Sequence, residues 1–173
     1  MSHLSEYEQV KEFHDTFHPA ENLVPTAFSP IEALQRASFT TEEMIEFLYA
    51  SVGGNEDEFD QLIAKWQESI LQTVTKIKEE AKPVEDILIG QIDALTDANY
   101  FNYGSFVLMG VDPRPIFHFV HQANMGKLFP DGKPHYRETD GKVLKPINWE
   151  ADFAPERKIK MEIERQNTNR RGT

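Results

Sequence analysis

The 173-residue sequence has no cysteine, which excludes a disulfide framework and any thiolate zinc site. It has no long apolar run either. The longest is about the length of "FVLMGV", far short of the roughly 20 residues that cross a bilayer. The opening "MSHLSEYEQVKEF" lacks a basic segment followed by an apolar one, so no secretory leader is read there. A soluble cytoplasmic protein with no membrane partner is expected. Positive charge is scarce, with 18 Lys and Arg against 29 Asp and Glu for a net charge of -11. A nucleic-acid duplex would be repelled, so none is expected as a partner. Neither G-x-x-x-x-G-K-[ST] nor G-x-G-x-x-G occurs, and both standard nucleotide cradles are thereby excluded. Serine and cysteine nucleophile motifs are missing, as are the Glu-x-x-His pairs of a di-iron bundle. His118 and His121 form an H-x-x-H without a third ligand in sequence, and His118 between Phe117 and Phe119 reads as a packed or surface histidine.

What remains is helix. With 39% hydrophobic and 27% charged residues, the chain has a globular composition and enough length for one well-buried domain. Val10, Phe13 and Phe17 mark a stripe on a helix over 4–17. Three prolines make 18–30 an extended linker. Ser29 and Pro30 then start a short helix as N-cap and N1. A separate helix is expected from Thr40, which with Glu43 forms a capping box, and Gly53-Gly54 stops it. Two long helices follow, one with Phe59, Leu62, Ile63, Trp66, Ile70, Val74 and Ile77 on a stripe, the other after Pro83 through "DALTDANYFNYGSFVLMGV". Their length and apolar content predict an all-α fold, a helical bundle with long antiparallel helices, and a homodimer that buries the excess. A short helix over "PRPIFHFVHQANMGKLF" precedes a short hairpin or loop segment turned at Asp131-Gly132 and Asp140-Gly141. The domain is expected over 1–155, with 156–173 a C-terminal helix or tail whose last residues, "RQNTNRRGT", are polar and frayed.

Carboxylates stand out on two of these helices. Glu42, Glu43 and Glu46 cluster on the side away from Met44, Phe47 and Leu48, while Asp86, Asp93 and Asp97 follow an i, i+7, i+11 pattern on one face. The glutamates also suit a helix first turn, and the aspartates suit a solvated face. If the two clusters meet, several carboxylates in one cleft repel unless divalent cations sit among them. Oxygen-only ligands select hard ions, Mg²⁺ first and Mn²⁺ possible. Magnesium shares its shell readily with phosphate, which points to phosphate chemistry. Between Arg114 and Pro146 the charge balance inverts, with Arg114, Lys127, Lys133, Arg137, Lys142 and Lys145 against Asp131, Glu138 and Asp140. Such a segment suits either a phosphate tail or an ordinary solvated loop. Asn124 and Lys127, one turn apart, can present an amide and an ammonium to one ligand.

The ordered set "TTEEMIEF", "DALTDANYFNYGSFVLMGVDP", "VHQANMGKLFPDGK" and "DGKVLKPINWEADFAP" resembles the all-α nucleoside triphosphate pyrophosphohydrolases. That superfamily includes MazG, dimeric dUTPase and phosphoribosyl-ATP pyrophosphohydrolase. The similarity covers roughly 7–155 and is strongest to the phosphoribosyl-ATP pyrophosphohydrolase-like branch. It implies a helical bundle, assembled as a homodimer or dimer of dimers, that uses Mg²⁺ to cleave a nucleotide between its α- and β-phosphates into a nucleoside monophosphate and pyrophosphate. The E-x-x-E motif places magnesium on Glu43 and Glu46 and makes Glu42 the catalytic base for the attacking water. Asp97 takes the last place of the second motif, E-x-x-D. Ala94 stands where its first carboxylate belongs, and Asp93 supplies one instead, about 100° around the helix. Asn124 and Lys127 match the substrate-side motif, and Lys142 and Lys145 are implied as further phosphate contacts. Alternatives are a noncatalytic nucleotide-binding or scaffold dimer, which Ala94 favours, and phosphoribosyl-ATP as the substrate itself.

Overall fold

The computed structural model describes residues 4–19, 22–139 and 141–171. Among them are seven α-helices: α1 Glu6–Phe17, α2 Pro30–Ser51, α3 Glu56–Glu80, α4 Ile87–Met109, α5 Arg114–Met125, α6 Trp149–Phe153 and α7 Glu156–Arg171. The fold is all-α, as the periodicity predicts. The expected hairpin reduces to one bridge between Tyr136 and Val143, flanked by the Arg137–Lys142 and Leu144–His135 backbone bonds. Asp140 of its turn lies outside the described residues. Among the described residues no helix is long and apolar enough to cross a membrane.

The chain divides into two compact units, Pro25–Leu95 and the pair of segments Met1–Val24 with Thr96–Thr173. The first is built on the α2–α3 hairpin. One correction concerns its opening, because 30–51 is a single helix rather than two. Ser29 and Glu32 close a reciprocal capping box ahead of Pro30, and nothing between Ala37 and Thr41 breaks the helix. Thr40 therefore caps nothing: its hydroxyl donates to the Arg36 carbonyl, and Thr41's to that of Ala37. Gly53 and Gly54, with φ of 59° and 79°, reverse the chain into Asn55, whose side chain accepts the Glu58 amide. Tyr49 meets Phe59 edge-on at 5.2 Å. Met44, Leu48, Leu62, Ile63 and Trp66 are half-buried along the same seam. The start of α4 joins this unit through Gln91, which accepts the Phe28 amide and donates to the Phe28 carbonyl. Asp86 leaves the supposed carboxylate face, since it accepts the Ile89 amide at 3.0 Å as a cap of α4.

The second unit packs α5 against α1, α6 and α7. Phe17 is 2% exposed and stacks on Phe13 at 4.4 Å. The loop after α5 returns to α1, where the Tyr136 hydroxyl donates to the Phe17 carbonyl. Of the expected frayed tail, 165–171 form the end of α7 instead, while 172–173 lie outside the described residues. Glu162, 7% exposed, holds Arg165 two-pronged at 2.7 and 2.6 Å, and Gln166 donates both to Glu162 and to the Asp112 carbonyl. Those ties anchor a segment whose composition alone reads as solvated.

Candidate active site

Glu42, Glu43 and Glu46 sit in the middle of α2 and are exposed. With Thr40 no cap, the first-turn explanation for these glutamates falls away. Glu43 and Glu46, three residues apart, share a helix face. Asp93 in the same unit and Asp97 in the other are exposed on α4. Their apolar and aromatic neighbours on α4 are exposed too, Leu95 at 53%, Tyr100 at 77% and Phe101 at 73%. Among the described residues no three carboxylates or imidazoles converge closely enough to hold a metal ion. The chemistry of the donor set nonetheless fits a hard cation, with only oxygen ligands on offer and no thiolate in the chain.

The cationic side is better defined. Asn124 is half-buried and lines a hollow of about 160 Å³ with Val10, Phe13, Phe117, Val120 and His121. Its Oδ1 accepts from Lys127 Nζ at 2.7 Å, so the two predicted substrate groups meet as one unit. Lys145 Nζ lies 3.6 Å from the centre of the Trp149 ring, a cation–π distance. Lys142 is exposed in the bridged loop, where its carbonyl accepts the Arg137 amide.

Behind these groups runs a chain of side-chain bonds that sequence reasoning missed. Gln9 donates to the Leu4 carbonyl, so its Oε1 faces His118 Nδ1 at 3.2 Å. On the ring's other side Gln122 Nε2 lies 3.0 Å from His118 Nε2, while Gln122 Oε1 accepts from Lys158. The lysine fixes the Gln122 amide, and the two glutamines bracket the His118 ring from both of its nitrogens. His121, 8% exposed, meets Glu12 at 3.1 Å. Both histidines are thus committed to neighbours on other helices or on their own. No spacing in sequence announces partners 109 positions away.

Electrostatics follow the same division. Arg114 grips Asp112 through Nε and Nη2 and holds its carboxyl down to about 2. Burial, and then the neighbouring Glu6 carboxylate, raise the Tyr103 phenol. Beside these groups lies a hollow of about 580 Å³ between Leu4, Gln9, Pro115, His118 and Phe119.

The phosphoribosyl-ATP pyrophosphohydrolase family profile matches residues 10–124, about two thirds of the chain, and its span runs through both acidic helices to Asn124. A solved structure from Exiguobacterium sp. 255-15, called "a putative NTP pyrophosphohydrolase", is 43% identical over 98% of this chain and 99% of its own, with a TM-score of 0.86. No curated protein matches the sequence. The resemblance read from the motifs therefore holds, and the chain belongs to the phosphoribosyl-ATP pyrophosphohydrolase family of all-α nucleotide pyrophosphohydrolases.

Proposed function

We propose that the protein hydrolyses a nucleoside triphosphate between its α- and β-phosphates, releasing a nucleoside monophosphate and pyrophosphate, with Mg²⁺ as cofactor and Mn²⁺ as substitute. The observation that carries this reading is the extent of the family match. It takes in Glu42, Glu43, Glu46, Asp93, Asp97 and Asn124 together. Glu43 and Glu46, with Asp93 and Asp97, would hold the metal, which when bound neutralises phosphate charge and acidifies a water. Glu42 orients the attacking water and accepts its proton. The chain's own cations act on the leaving group. Lys127, steadied by Asn124, and Lys142 and Lys145 stabilise the charge that builds on the departing pyrophosphate.

Phosphoribosyl-ATP is the second substrate reading, supported by the family's own description, whereas the Exiguobacterium relative's favours a triphosphate. Assembly as a homodimer or dimer of dimers belongs to the same proposal. Its support is the apolar surface of α4, where Val107 is 75% and Leu108 90% exposed, more than a single copy keeps in water without cost.

The test is pyrophosphate release from a panel of ribo- and deoxyribonucleoside triphosphates and phosphoribosyl-ATP, with Mg²⁺ or Mn²⁺, alongside light-scattering mass. Turnover of one substrate that vanishes with chelator and in Glu46→Gln supports the reading. Turnover indifferent to both sinks it, and a monomeric mass sinks the assembly.

A further inference from the structure

We infer that Trp149 is a positioning residue that holds the phosphate-facing cations of the C-terminal segment in place. Two contacts converge on its indole. The ring edge donates Nε1–H to the Ala123 carbonyl at 2.7 Å, a buried bond, and the ring face lies under Lys145 Nζ at 3.6 Å. The Ala123 carbonyl belongs to the peptide that carries Asn124, so the indole fixes the backbone from which the Asn124–Lys127 pair projects. Its face meanwhile fixes the ammonium of a lysine that would otherwise sample many rotamers. One side chain thus sets two groups that lie about twenty positions apart in sequence.

The surroundings show that this placement is built. Trp149 is 6% exposed, and its amide donates to the Pro146 carbonyl, closing a turn on a buried proline. That turn folds the ring back beneath the lysine four residues earlier. At the far end of α6, Phe153 presses on the end of α5 so closely that a Cβ on Gly126 would lie 2.3 Å from the Phe153 ring. A small helix clamped this hard leaves the indole no second position. The face of an aromatic ring attracts an ammonium without an acceptor atom that would compete for all three protons. Lys145 therefore stays able to donate to a phosphate oxygen. A carboxylate in the same place would neutralise it.

The inference rests on the proposed role of Lys145 and Asn124 toward the leaving pyrophosphate. The experiment keeps the two apart: calorimetric titration of the full chain with magnesium pyrophosphate, alongside KM and kcat. In Lys145→Ala, pyrophosphate binds about three- to tenfold more weakly. Trp149→Leu weakens it at least as much, Trp149→Phe restores part of the loss because a ring face returns, and Trp149→Leu with Lys145→Ala together do little more than Trp149→Leu alone. kcat/KM falls in step, and kcat falls with it, because the charge that Lys145 meets builds in the transition state. Unchanged pyrophosphate affinity in Trp149→Leu while Lys145→Ala weakens it overturns the inference. No effect of Lys145→Ala overturns the phosphate role beneath it, and the inference with it. A readout that leaves Trp149 intact covers the case of a Trp149→Leu chain that does not fold. The protein has two tryptophans, so in Trp66→Phe the emission comes from Trp149. Pyrophosphate should shift that emission, and Lys145→Ala should abolish the shift. Emission indifferent to pyrophosphate overturns the inference.

Discussion

In the unit Pro25–Leu95 the described side-chain hydrogen bonds of α2 and α3 stay within a helical turn, as caps or four-residue back-bonds such as those of Ser38, Thr41 and Thr73. In the other unit, besides such local bonds, several join distant elements, from Gln9 to His118, from Glu12 to His121, from Lys158 to Gln122 and from Gln166 to Asp112 in the α4–α5 linker. Glu43 and Glu46 lie exposed on a helix marked by such local bonds, and the cationic candidates lie where polar groups are fastened to neighbours. An exposed carboxylate can turn to meet a cation, whereas a lysine that must meet a phosphate gains from being held. The comparison teaches that chemistry and scaffolding use the same residue types in opposite surroundings.

The sharpest way to break that comparison is Glu46→Gln. Turnover should fall on the order of 10²–10³-fold while the melting temperature stays put, because Glu46 is exposed. A large loss of melting temperature would mean that the glutamate is scaffold after all. Next comes Gly126→Ala. The Phe153 ring must move, destabilising the protein by about 1–3 kcal/mol, or a few degrees of melting temperature per kcal/mol, read by calorimetric scanning. Gln166→Leu removes bonds to the Asp112 amide, the Asp112 carbonyl and Glu162 at once. A loss of about 1–3 kcal/mol in urea unfolding is expected. The smallest effect belongs to Arg114→Met. Asp112 is held at about 2 against 3.8, so its contribution is complete above about pH 4 and fades as pH falls toward 2. The stability gap between wild type and Arg114→Met should be full at pH 5 and close across that window. A gap independent of pH would detach Arg114 from Asp112.

How much was legible in sequence depends on how far each signal reaches. The Val10, Phe13 and Phe17 stripe announces α1, and the Phe59 to Ile77 stripe announces α3, because a helical period is written within a few turns. Asp86 shows the limit of periodicity: it lies on the aspartate face by spacing yet serves as a cap, one residue before α4 begins. The break expected before Thr40 is absent for a related reason, since S/T-x-x-E caps only where the chain enters a helix, and at Thr40 it is already helical. The α6 helix, five residues long, carries no period to read. Only the lone tryptophan after Pro146 hints at it.

Composition and local pattern by themselves determined an acidic, cysteine-free, all-α protein, and the order of its motifs determined the family, because these depend on residues near one another in the chain. Tertiary structure alone decided that His118 links Gln9 to Gln122, that His121 faces Glu12, that Gln166 ties α7 to Asp112, and that Lys145 rests on Trp149. Each of those joins side chains through a contact whose geometry no spacing encodes, and burial rather than residue type sets what each one does.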